Sequence, residues 1–65
     1  MRIELNGTIE QTEAATLADL VAERGFDAAS VATAFEGVFV PRPEREATLL
    51  AEGSKVEVLS PMQGG

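Results

Sequence analysis

Thr16-Leu17-Ala18-Asp19-Leu20-Val21-Ala22-Glu23-Arg24-Gly25 carries a helix signal from cap to cap. Thr16 suits the N-cap because its hydroxyl accepts from a free amide of the first turn. Asp19, three residues on, offers a shorter version of the capping box. Leu17, Leu20 and Val21 fall on one face at i, i+3 and i+4. Ala18, Ala22 and Glu23 favour helix, and Gly25 takes the left-handed position after Arg24 without a Cβ clash. The spacing predicts a helix over 17–24, with Phe26 folding back on Val21 in a Schellman-type contact. Nearly all the rest of the chain reads as strand or turn, so this helix decides how the strands connect.

On its N-terminal side, Ile3 and Leu5 alternate with Arg2, Glu4 and Asn6, the period of a half-buried strand. Asn6-Gly7 is a two-residue hairpin turn, both positions needing positive φ. Thr8-Ile9-Glu10 returns, with Ile9 expected inward, and 11–15 lead into the helix. On its C-terminal side, 27–30 connect to a strand Val31-Ala32-Thr33-Ala34-Phe35, and Glu36-Gly37 turns into Val38-Phe39-Val40. A tight turn there pairs Phe35 with Val38, Ala34 with Phe39 and Thr33 with Val40. Both faces of this hairpin are apolar. The small alanines let a helix approach closely, so the Ala32/Ala34/Phe39 face is expected to pack on the core. The Phe35/Val38 face, with Leu59, is then expected to be an uncovered docking surface.

Pro41-Arg42-Pro43 ends the second hairpin because proline cannot donate to a ladder. The stretch 44–51 is a connection with room for one helical turn, Leu49 and Leu50 being candidates to plug the core. Glu52-Gly53-Ser54 turns the chain into Lys55-Val56-Glu57-Val58-Leu59-Ser60, with Val56 and Val58 inward and Leu59 outward. The order is hairpin, helix, hairpin, final strand. A parallel pair in such a sheet needs a crossover, and the single helix supplies it. The expected fold is α+β: a β-grasp, or ubiquitin-like, mixed sheet of four or five strands with one main helix on one face. It spans 1–60, with a flexible tail over 61–65.

Composition narrows the chemistry. The 65 residues hold no cysteine and no histidine, which excludes disulfides, Cys-His dyads, Ser-His-Asp triads and His/Cys zinc sites. Eleven acidic against five basic residues give a formal charge of −6, the wrong sign for a nucleic-acid binder. Glu44, Glu46, Glu52 and Glu57 read as a charged outer face rather than a metal site or acid/base pair. No apolar run approaches a membrane span and no signal-peptide pattern opens the chain, so a cytoplasmic setting is expected.

Pro61-Met62-Gln63-Gly64-Gly65 is left without a structural duty. The other four glycines sit where turns or a helix end need them, whereas Gly64 and Gly65 serve neither. A carboxylate on Gly65, flanked by no side chains, suits threading into a narrow pocket. Five extended residues reach roughly 17 Å, enough to cross a partner's channel.

The stretches Phe39-Val40-Pro41-Arg42, Leu49 with Glu52-Gly53, Val56-Glu57-Val58 and Gly64-Gly65 resemble the ThiS family, sulfur carrier proteins of thiamine biosynthesis. Ile3-Glu4-Leu5-Asn6-Gly7 and Leu17-Ala18-Asp19-Leu20 are similar too, so the resemblance runs the whole chain, with Val-Pro-Arg its most discriminating part. The family usually has Asn-Gly where this chain has Glu36-Gly37, and Gly-Asp where it has Gly53-Ser54. Both departures fall at turns.

The resemblance implies a protein co-substrate with no catalytic residue and no cofactor or metal of its own. An E1-like adenylyltransferase, supplying ATP and Mg²⁺, would adenylate the Gly65 carboxylate. A sulfur donor protein would convert it to a thiocarboxylate for thiazole synthase. Gly64, Gln63 and Met62 would thread the tail, while Phe35, Val38, Leu59 and Arg42 would meet the partner. Three alternatives stay open: a small subunit of molybdopterin synthase, a ubiquitin-like modifier joined to lysines, and a plain binding module with an incidental tail.

Overall fold

The computed structural model describes residues 1–61. The chain runs β1 (Arg2–Leu5), β2 (Thr8–Gln11), α1 (Leu17–Glu23), β3 (Ala32–Phe35), β4 (Val38–Val40), a 3-10 helix (Arg42–Ala47) and β5 (Lys55–Leu59). The five strands form one mixed sheet in the order β2-β1-β5-β3-β4. β5 lies at its centre, parallel to β1 and antiparallel to β3. With α1 packed across one face, this is the β-grasp architecture. No described helix is long and apolar enough to cross a membrane.

Local chemistry explains the elements. Thr16 Oγ1 accepts from the Asp19 amide at 3.1 Å, closing the N-cap. At the other end Gly25 N donates to Ala22 O and Phe26 N to Val21 O, both at 3.1 Å, with Gly25 at φ 76°. That is the Schellman pattern, and Phe26 packs half-buried against the core. Both hairpin turns place a non-glycine residue in the left-handed region, Asn6 and Glu36 each at φ 51°.

Leu17, Leu20 and Val21 of α1 meet Ile3, Leu5, Val56 and Val58 of the sheet, with Val31, Val40 and Leu50 closing the core. Three expectations fail here. Ile9 is outward, 63% exposed, because it pairs with Glu4 across the two-residue turn and cross-strand partners share a face. Of the two leucines in the connection only Leu50 is buried, at 8% exposure; Leu49 bridges to Thr16 and is 71% exposed.

The third failure is the face of the β3–β4 hairpin. Its register is Phe35↔Val38, Ala34↔Phe39 and Thr33↔Val40, as the turn predicts. However, Val31, Thr33 and Val40 are buried, while Phe39 is 66% exposed and Ala32 is exposed. The core face is therefore the Val31/Thr33/Phe35/Val40 face, and Ala32, Ala34 and Phe39 look outward. β5 imposes this choice. Thr33 pairs with Val58 and Phe35 with Val56, and these valines alternate with charged Lys55 and Glu57. Turning β3 over would put Val56 and Val58 in water and two charges in the core.

Candidate functional site

The site expected from the sequence has two parts, a tail and a surface that positions it. Met62, Gln63, Gly64 and Gly65 lie outside the described residues. The surface around the tail's root is described.

β5 ends at Leu59, followed by exposed Ser60 and Pro61. Leu59 pairs with Ala32 and is 67% exposed on the face opposite α1. A shallow notch of about 100 Å³ opens there, lined by Ala32, Thr33, Ala34, Phe39, Glu57 and Leu59. The alanines form a low floor, and Phe39 and Leu59 stand up as apolar walls. An apolar hollow with one carboxylate at its rim is a place for a partner's apolar side chain.

The four expected docking residues thus separate. Leu59 stands in the notch. Phe35 does not: it faces the other way and packs half-buried against the core. Val38 is exposed but lies on the α1 side, as the partner of Phe35 in the hairpin. Phe39, which the sequence assigns to the core, takes their place. Arg42 is exposed and opens the 3-10 helix on the α1 side. It lines a groove of about 410 Å³ with Ala18, Val21, Ala28, Pro43, Arg45 and Glu46. Its charge reaches Asp27, whose carboxyl is held below its usual range first by the Ser30 hydroxyl, then by the Ala29 amide, and less by Arg42.

Two residues take roles that the sequence does not announce, Arg45 and Asn6. Arg45 is 4% exposed and has no carboxylate partner among the described residues. Its guanidinium donates instead to Thr33 Oγ1 (3.0 Å), Ala28 O (2.9 Å) and Val31 O (2.8 Å). Thr33 in turn donates to Val40 O at 2.8 Å. The network ties the 3-10 helix to the loop before β3 and to Thr33 of β3 itself. Asn6 does more than turn the chain: its side-chain amide donates to Val58 O at 3.2 Å and accepts from Val58 N at 2.9 Å. An asparagine before glycine explains itself as a turn, so nothing in the sequence points to this second use.

The family departures are explained locally. Glu36 adopts the left-handed conformation and its Oε2 accepts from Lys55 N at 2.8 Å. Ser54 Oγ accepts from Ala51 N at 2.8 Å, closing the turn before β5.

Comparison with known proteins places these features. The ThiS family matches residues 2–65, a span that includes both terminal glycines. No curated protein matches significantly. Among solved structures, a crystal structure of a thiamine biosynthesis protein (ThiS) from Geobacter metallireducens is 28% identical, with a TM-score of 0.80 and full coverage of both chains. A solution structure of a thiamine biosynthesis protein from the same organism is 26% identical, with a TM-score of 0.84. It is covered over 88% of its length and covers all of this chain.

Proposed function

The chain belongs to the ThiS family, and from that membership we propose that it is a sulfur carrier for thiamine biosynthesis, a co-substrate rather than an enzyme. The observation that carries the proposal is the family match across the whole chain, body and Gly64-Gly65 together. In this reading the Gly65 carboxylate attacks the α-phosphorus of ATP on an E1-like adenylyltransferase, which holds the Mg²⁺, and pyrophosphate leaves. Sulfide-level sulfur delivered by a donor protein then attacks the carbonyl carbon of the acyl-adenylate. The C–O bond to AMP breaks, AMP leaves, and the resulting thiocarboxylate is consumed by thiazole synthase. A free carboxylate is a poor electrophile, and adenylation gives it a leaving group. Glycines at 64 and 65 allow close backbone approach in the partner's channel.

The body's part is presentation. Phe39 and Leu59, over the floor of Ala32 and Ala34, form the apolar contact beside the tail's root, with Arg42 a charged contact on the other side. The fold's central strand leads directly to the tail, which supports a rigid aim.

The test is intact mass after incubation with an E1-like enzyme, ATP and a sulfur donor. Exchange of one oxygen for sulfur on the carrier is the expected result. Conjugates of higher mass would show a modifier instead, and no change with any cognate enzyme would sink the carrier reading.

A further inference from the structure

β5 outruns its neighbour. β1 pairs with it only at Glu4↔Lys55 and Leu5↔Val56, and the Asn6 amide adds one bond to Val56 O at 2.9 Å. The chain then turns away at Asn6-Gly7, while β5 continues through Glu57, Val58 and Leu59. On that side, among the described residues, the hydrogen bonds to β5 beyond Val56 come from one side chain. Asn6 donates to Val58 O and accepts from Val58 N, copying the pairing of a backbone residue. An amide side chain presents its donor and its acceptor on two separate atoms, whereas an ionised aspartate only accepts and a serine hydroxyl must do both through one oxygen on a shorter stem. The left-handed φ of 51° at Asn6 accompanies this reach: the turn that ends β1 keeps the residue beside β5.

We propose that Asn6 is a positioning residue for tail delivery: it replaces the missing β1 pairing and fixes the direction in which β5 hands the chain to Pro61. The inference rests on the sulfur-carrier reading, since direction matters only if a partner receives the tail. Without the clamp, the exit half of β5 is held by β3 alone, through Thr33↔Val58 and Ala32↔Leu59. The tail's root then samples more directions, and a partner must restrict them on binding. Lost preorganisation weakens productive association and leaves the bound geometry intact.

Asn6→Gly separates the two roles, because glycine keeps the positive φ of the turn while both bonds to Val58 vanish. The control is Thr12→Ala, which removes a 2.6 Å bond to Glu23 at the far end of α1 and the 3.0 Å bond from Ala14 N, neither of them to β5. In the thiocarboxylation assay N6G is expected to raise KM for the carrier about five-fold, with kcat within about two-fold, while T12A leaves KM unchanged. The Val58 amide of N6G should exchange about ten-fold faster relative to that of Val56. A KM for N6G equal to that of T12A, or unaltered Val58 exchange, overturns the inference with the carrier reading intact. Wild-type protein that accepts no sulfur overturns both.

Discussion

Arg45 illustrates how a charge can be held inside a small domain without a counter-charge. Three neutral oxygens from residues 28, 31 and 33 surround its guanidinium. Arg45→Met therefore leaves three acceptors short of a donor, and hydrogen bonds to charged groups are the stronger kind. A loss of about 3 kcal/mol is expected, seen as a lower urea midpoint with an unchanged slope. Glu23 makes a pH prediction. Its carboxyl is held below 4.5, first by the Thr12 hydroxyl, then by the Glu13 amide, with Arg24 adding attraction. A depressed carboxyl contributes stability above its unfolded value and loses it as pH falls through the folded value. Glu23→Gln should accordingly flatten the acid limb of stability below pH 4.5, measured by urea titration across that range. Neither role was legible in the sequence. Arg45 lies in a polar, proline-bearing stretch with no periodicity, and its partners are backbone carbonyls brought from elsewhere by the fold.

Among the elements, α1 and the turns were legible and the outward faces were not. Caps and left-handed positions are local: Thr16, Gly25 and the two hairpin turns state their geometry within four residues. The face of β3–β4 is not local, because both its sides are apolar and alternation gives no sign. It is fixed by β5, whose Val56 and Val58 alternate with charges. Ile9 was decidable by the same reasoning, since its partner Glu4 already faces out. The corrected face carries a prediction. Phe39→Ser should change stability by no more than about 0.5 kcal/mol, as expected of an exposed site. Under the sulfur-carrier proposal it should also raise KM for an activating enzyme, read by steady-state sulfur transfer. A stability loss of core size would return Phe39 to the interior.

For the whole molecule, the topology followed from one helix between two hairpins and a final strand, the arrangement found. The tail stays a proposal, and deleting Gly65 tests it. Thiocarboxylation should vanish while the melting temperature of the body stays unchanged, because the described core is complete by Val58. A lowered melting temperature would make the tail part of the fold.

The central place of β5 bears on how the protein is made. Strands β1 and β3 acquire their shared neighbour only when the last strand has been synthesised. A nascent chain halted before Lys55 has two half-sheets with open inner edges and lacks Val56 and Val58. Such a product is expected to stay unfolded and open to proteases. Translation is thus expected to screen its own output: a copy that survives in folded form has been read through the strand from which the tail departs.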